Sequence, residues 1–179
     1  MEEKGFLNPL HNVEQFGIME GMHVADFGAG SGFYTIACAK KVGEAGKVYA
    51  VDIQKELLLK IKDEARKQNL DNVEIIWGDL DKEGGSKLSS ASIDAVIISN
   101  VLFQAEDKAS FAKEANRVLK PKGRILLVDW LDSFGNLGPT SEMIFSKEEA
   151  RKIFEENGFS FDREIDAGAH HYGMVFKKS

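Results

Sequence analysis

The fold of this chain follows from one stretch, Val24–Gly32, which reads VADFGAGSG. The apolar run His23–Phe27 predicts a buried strand, and the following segment Phe33–Lys41 is long enough for a helix. The glycines between them let the backbone turn tightly and approach a ligand closely. The stretch therefore predicts a strand, a loop and a helix, with a nucleotide-like ligand at the loop.

The spacing of Gly28, Gly30 and Gly32 distinguishes this loop from other glycine-rich ligand-binding motifs. A dinucleotide fingerprint needs its third glycine at position 33, where this chain has Phe33, so the spacing argues against NAD. A P-loop is excluded because no Gly-Lys-Ser or Gly-Lys-Thr follows the loop. The remaining alternative is a tight turn that holds no ligand.

Short apolar runs alternate with helical spacing along the chain, a pattern typical of parallel strand–helix units. The turn at 166–169 makes the final strand pair antiparallel. A helix before the fifth strand is expected to stop at Pro121 and Gly123. The pattern predicts an α/β protein with a seven-stranded, mostly parallel sheet, an antiparallel last strand and helices on both faces. The predicted strands are His23–Phe27, Val48–Val51, Val73–Trp77, Ile93–Ser99, Arg124–Asp129, Phe159–Ile165 and His171–Lys177.

Composition limits the class of protein. The 179 residues are 43% hydrophobic and 29% charged, which predicts one domain over 1–179. The net charge of -6 disfavours nucleic acid as a partner. A single cysteine, Cys38, excludes an internal disulfide and a multi-cysteine metal cluster, and it favours a cytoplasmic location. The longest apolar stretch, Ile93–Phe103, contains Asp94 and Asn100, so no membrane span is predicted.

Two segments lie outside the strand–helix pattern. Residues 1–20 form an N-terminal cap segment, in which Asn8 caps a helix that starts at Pro9. Residues 131–146 form a long loop that ends where Ser146 caps the next helix in a capping box with Glu149. We expect both segments to act as lids over the ligand.

Carboxylates follow two of the predicted strands. Asp52 ends the second strand, 24 positions after Gly28, where its two oxygens can accept bonds from the vicinal hydroxyls of a ribose. Asp79 follows the third strand in a Gly78-Asp79 pair. The alternatives are a helix N-cap for Asp52 and an ordinary turn for Asp79.

These motifs resemble the class I S-adenosylmethionine-dependent methyltransferases, in which an acidic residue stands two positions before G-x-G-x-G. The resemblance covers about Gly21–Trp130 by motif and implies a Rossmann-like fold with S-adenosylmethionine as cofactor. It implies that the glycine loop packs on the methionine part, that Asp26 lies near the ammonium group, and that Ile53 packs on the adenine. The implied cofactor-binding residues are Asp26, Gly28, Ala29, Gly30, Gly32, Asp52, Ile53, Gly78, Asp79, Leu80, Ser99 and Asn100.

Within that family the chain resembles the small ubiquinone and menaquinone biosynthesis methyltransferases, through Pro121–Gly123 and the fourth strand. The resemblance implies methyl transfer by in-line displacement to a small, apolar or aromatic acceptor. Residues 99–104 lack the Asn-Pro-Pro-Tyr tetrad of base-amino methyltransferases, and a lone Cys38 does not suit arsenite. Two alternatives stay open: an accessory protein that binds the cofactor without catalysis, and a protein or RNA methyltransferase. The second would use the basic residues Lys113, Arg117, Lys120, Lys122 and Arg124.

A catalytic base is optional for this chemistry, because only some acceptors must lose a proton. The candidates near the expected acceptor are His11, Asp129, His170, His171 and Tyr172. Adjacent histidines of a strand point to opposite faces and cannot chelate one metal, so no metal site is predicted. The sequence leaves the acceptor atom and the oligomeric state open.

Overall fold

The computed structural model describes residues 7–179, which build one seven-stranded sheet with helices on both faces. The strands are β1 (His23–Phe27), β2 (Lys47–Asp52), β3 (Val73–Trp77), β4 (Ile93–Ser99), β5 (Leu119–Trp130), β6 (Phe159–Ile165) and β7 (His171–Lys178). The helices are α1 (Pro9–Phe16), α2 (Phe33–Val42), α3 (Lys55–Lys67), α4 (Lys108–Val118) and α5 (Lys147–Glu156). Single 3₁₀ turns cover Leu102–Gln104 and Ser141–Met143.

The strand order is β3-β2-β1-β4-β5-β7-β6. Strands β1 to β5 are parallel, while β7 pairs antiparallel with both β5 and β6. The order reverses beside β1, which lies between β2 and β4, and in open α/β sheets the crevice at such a point is where ligands bind. The predicted fold class is confirmed.

Both faces of the sheet are buried. In β4, the side chains of Val96, Ile97 and Ile98 are all 0% exposed, as expected for a parallel strand covered on both sides. Ile97 belongs to the cluster that packs under α1 and α2, whereas Val96 and Ile98 pack with α4 and α5. No helix within residues 7–179 has the length and apolarity that crossing a lipid bilayer requires.

The prediction for the start of β5 was wrong. Helix α4 ends at Val118, and β5 begins at once with Leu119, which pairs with Ile93, before the register shifts and Arg124 pairs with Ala95. The intervening segment with Pro121 is a bulge that β4 does not match. Proline is tolerated there because a bulge does not use its missing N–H.

Both predicted helix caps are confirmed. The Asn8 side chain accepts a hydrogen bond from the backbone N–H of His11, and Ser146 and Glu149 form the reciprocal capping box. Residues 131–146 are largely irregular, as predicted, apart from one isolated bridge and the turn at Ser141–Met143.

Candidate functional site

A cavity of about 510 Å³ lies at the carboxyl ends of β1, β2 and β4, beside the glycine loop. Eleven of the twelve residues predicted to bind the cofactor line it, and only Gly32 does not. A Cβ at Gly32 would lie 2.5 Å from Cγ1 of Ile61, so this glycine lets α2 pack closely against α3. The strand ends and the loop thus bring together side chains that are far apart in sequence.

The glycine loop is shaped by positive φ angles of 75° at Gly28 and 54° at Gly30. A Cβ at Gly28 would lie 2.7 Å from Cγ2 of Val101, so any side chain there would clash. At Gly30 the nearest atom to such a Cβ is 3.9 Å away, so this part of the backbone is open to the cavity. The loop therefore presents bare backbone to a ligand.

Asp52 braces the glycine loop from the end of β2. Its Oδ2 accepts a hydrogen bond of 2.9 Å from the Gly30 N–H, and its Oδ1 accepts one of 2.9 Å from the Gln54 N–H. A carboxylate has about four lone-pair positions, so each oxygen retains acceptor capacity. Asp52 can therefore hold the loop and a pair of ligand hydroxyls at the same time.

Asp26 lies at the floor of the cavity and is 2% exposed. Its Oδ2 accepts a hydrogen bond of 2.7 Å from the Thr35 hydroxyl. Burial raises the pKa of Asp26 to about 7, and the neighbouring Asp52 adds to the rise while the Thr35 hydroxyl opposes it. The charge of this carboxyl therefore depends on pH near neutrality.

The charged side chains that line the described part of the cavity are all acidic. Four aspartates line it, Asp26, Asp52, Asp79 and Asp81, and the described lining includes no lysine, arginine or histidine. Asp79 accepts a 3.1 Å hydrogen bond from the Asp81 N–H and lies 3.2 Å from the exposed Lys82 ammonium. The cavity therefore favours cationic ligands over anionic ones.

Sequence reasoning missed Tyr34, which lines the cavity from the first turn of α2 and is 5% exposed. Its hydroxyl accepts a 2.8 Å hydrogen bond from the Asn12 amide of α1. Burial raises the pKa of Tyr34 to about 12, so the phenol stays protonated at neutral pH. Its position two residues after Gly32, at the start of a helix that faces the strand ends, was the available signal.

Asn100 directly follows β4 with φ of 54°, and its backbone N–H donates to the Val128 carbonyl. Its side-chain Oδ1 is buried and accepts no hydrogen bond from the described residues, although Asn100 lines the cavity. Buried polar atoms are normally paired, so this oxygen suits a ligand donor.

None of the five candidate bases lines this cavity. His11 is exposed on α1, the Tyr172 hydroxyl donates to the Phe145 carbonyl at 2.7 Å, and His170 Nδ1 is 2.9 Å from an Asp132 oxygen. Of the two expected lids, residues 131–146 contribute nothing to the lining, and the cap segment contributes Leu7. The prediction for residues 1–6 of that segment lies outside the described residues.

Asp129 and His171 are buried at the ends of β5 and β7. Asp129 is 0% exposed, its Oδ1 accepts from the Trp130 N–H, and burial raises its pKa to about 7. His171 is 4% exposed and lies 4.2 Å from the Trp130 ring, and burial lowers its pKa to about 4. In the part of the chain the structure describes, no three histidine, cysteine or acidic side chains are grouped to hold a metal.

The sheet order, the glycine loop and the acidic strand ends define a class I S-adenosylmethionine-dependent methyltransferase. Residues 18–158 match the family model described as a methyltransferase domain, and the chain belongs to this family. A structure of an S-adenosylmethionine-dependent methyltransferase from Aquifex aeolicus superposes with a TM-score of 0.88 at 30% identity, over 97% of this chain and 91% of that one.

Two curated relatives are similar over part of their length. An arsenite methyltransferase of Halobacterium salinarum is 32% identical over 119 residues, which are 66% of this chain and 30% of that protein. A demethylmenaquinone methyltransferase of Staphylococcus aureus is 31% identical over 117 residues, which are 65% of this chain and 46% of that protein. The matched region thus spans less than half of each relative.

Proposed function

We propose that this chain transfers a methyl group from S-adenosylmethionine to a small, uncharged, apolar or aromatic acceptor. The observation that carries the proposal is the cavity lining, with four carboxylates and no described basic side chain. Carboxylates favour a nearby sulfonium and ammonium and repel a carboxylate or phosphate on an acceptor. An acceptor without negative charge is therefore expected.

The residues present fit S-adenosylmethionine. The backbone at Gly30 is open enough for a ligand to approach closely. The buried Asn100 Oδ1 can accept a hydrogen bond from the ligand, and Asp52 retains lone pairs for two ribose hydroxyls. We assign Asp79 to the adenine amine and Asp26 to the ammonium group, as the family resemblance implies. When bound, the cofactor supplies an electrophilic methyl group on a positively charged sulfur.

The chain's contribution to the reaction is mainly positioning. Holding the acceptor in line with the methyl group is worth about 7–11 kcal/mol of the barrier at best. The described lining has no histidine or lysine, its carboxylates Asp26, Asp52 and Asp79 are assigned to the cofactor, and the Tyr34 phenol stays protonated. The proposed reaction therefore relies on orientation and on the acidity of the acceptor itself.

The relatives and the position of the cysteine bear on the acceptor. Relatives named demethylmenaquinone methyltransferase act, by that name, on a quinone, which supports an aromatic acceptor. Arsenite is less suitable, because Cys38 is the one cysteine of the chain and is 0% exposed, whereas arsenic(III) binds thiolates.

The basic residues that would serve a protein or RNA methyltransferase are partly engaged within the fold. Arg117 pairs with Glu114 at 2.6 Å, Lys120 with Asp94 at 3.0 Å, and Arg124 donates to the Phe16 carbonyl. These contacts use the charges for structure, so a small-molecule acceptor is the better proposal.

The test is a matched pair of acceptors that differ in charge: 1,4-naphthohydroquinone and its 2-carboxylate. We expect S-adenosylhomocysteine to form with the neutral compound, and kcat/KM for the carboxylate to be at least about tenfold lower. Asp52→Ala, measured beside the wild type, should lose turnover with both. A preference for the carboxylate would contradict the charge argument. Calorimetric binding of S-adenosylmethionine without turnover on any neutral aromatic compound would favour an accessory protein.

A further inference from the structure

The cavity lining combines carboxylates with apolar side chains. The carboxylates Asp52 and Asp79 follow β2 and β3, whereas Leu7, Phe33 and Val101 add apolar surface, with the Phe33 side chain 68% exposed. Tyr34, whose hydroxyl is a neutral polar group, also lines the cavity and belongs to the hydrophobic cluster against which Leu7 packs. Sites for mainly apolar ligands are typically built in this way, with few polar groups that fix the orientation.

The Tyr34 hydroxyl is held by a hydrogen bond from α1. The Asn12 amide donates to its oxygen at 2.8 Å, and Ser99 lines the same cavity. A hydroxyl has two acceptor lone pairs and one proton. Because the Asn12 amide uses one lone pair and the phenol stays protonated, the phenolic proton can be donated to a ligand.

Asn12 is held firmly because α1 is anchored at its carboxyl end. Arg124 donates to the Phe16 and Gly17 carbonyls, and Arg163 donates to those of Gln15 and Phe16. Two guanidinium groups thus satisfy the last carbonyls of the helix, where cations are favourable. Asn12 is 1% exposed, so its amide has little freedom to leave Tyr34.

We infer that Tyr34 is a specificity-determining residue of the acceptor site: its hydroxyl, oriented by Asn12, donates a hydrogen bond to an oxygen of an uncharged aromatic acceptor. This inference rests on the proposed function and deepens it. It also makes α1, which lies outside the strand–helix core, part of acceptor recognition.

The test compares 1-naphthol with naphthalene, which lacks the oxygen, on protein saturated with S-adenosylhomocysteine. Equilibrium dialysis of the wild type should show 1-naphthol bound more tightly by about 3- to 10-fold, the range of one hydrogen bond. In Tyr34→Phe this preference should fall to about one, because the ring remains and the donor is gone. Asn12→Leu, which removes the orienting amide, should lose part of the preference.

Tyr49→Phe is the matched control, because Tyr49 lies on β2 beside His23 and Lys47 and does not line the cavity. It should keep the full preference, and S-adenosylhomocysteine affinity should stay within about twofold of wild type in every variant. A full preference retained in Tyr34→Phe would overturn the inference alone. A marked loss of S-adenosylhomocysteine affinity in Tyr34→Phe would overturn it by placing the hydroxyl on the cofactor. If wild type binds neither compound, the aromatic acceptor class fails and this inference with it.

Discussion

The pH dependence of cofactor binding is the sharpest consequence of the buried Asp26. Its pKa is about 7, and the proposed partner is an ammonium group that binds the ionised form. The ionised fraction is about 0.9 at pH 8 and about 0.1 at pH 6, so affinity should fall about tenfold between them. Asp26→Asn, which cannot ionise, should show weaker binding that is flat over the same range.

The assay is calorimetric titration with S-adenosylhomocysteine, which has the same ammonium and carboxylate groups but no electrophile. Because binding selects the ionised carboxyl, it should release about 0.9 proton at pH 6 and about 0.1 at pH 8, measured from buffers of different ionisation enthalpy. Thr35→Val is a second variant. The Thr35 hydroxyl lowers the pKa of Asp26, so its loss should move the midpoint of the affinity profile to higher pH.

Two results would refute the reasoning about Asp26. An affinity profile that is flat in the wild type would show that the carboxyl does not titrate on binding. A profile that survives unchanged in Asp26→Asn would show that another group is responsible. If the midpoint of the affinity profile did not move in Thr35→Val, the Thr35 hydroxyl would have no effect on the pKa of Asp26.

Further predictions concern single positions. Asp52→Ala should weaken S-adenosylhomocysteine binding by at least about tenfold in calorimetry, because Gly30 and the ribose lose one shared acceptor; unchanged affinity would remove Asp52 from the site. Gly28→Ala should cost about 1–3 kcal/mol in urea unfolding, since its Cβ would meet Val101 at 2.7 Å, and adding Val101→Ala should recover part of the loss. Asp129→Asn should gain stability relative to wild type as pH rises from about 4 to about 7, because the raised pKa of the buried carboxyl makes ionisation cost folding free energy there. Parallel urea titrations across that range would show a constant difference if Asp129 were uninvolved.

Local sequence patterns predicted the bounds of several strands and the start of one helix. The strand bounds of β1, β3, β4 and β6 match the predictions, and the capping box at Ser146 is present. The start of β5 could not be read from the chain, because Pro121 and Gly123 normally stop regular structure. There the bulge tolerates them, and only the pairing of Leu119 with Ile93 reveals that the strand has already begun.

The sequence predicted those residues of the cavity lining that stand at strand ends. It missed residues whose place in the lining depends on how helices and loops pack. Asp26 and Asp52 follow from strand ends at a reversal of strand order. Asp129 also lies near a strand end, but it lies opposite Tyr172 of β7, whose hydroxyl bonds to Phe145, and it does not line the cavity. Which helix or loop covers a given strand end is a tertiary property that spacing along the chain does not encode.

The cavity's charge connects cofactor exchange with the choice of acceptor. Carboxylates at Asp26, Asp52 and Asp79 interact more favourably with a sulfonium than with the neutral thioether that remains after methyl transfer. The same groups therefore favour the methylated form of the cofactor over the product form. These carboxylates would repel an anionic acceptor, so the electrostatic field that distinguishes the two forms of the cofactor also disfavours an anionic partner. In such a field, a neutral hydrogen-bond donor can orient an uncharged acceptor, and this is the role inferred for the Tyr34 hydroxyl.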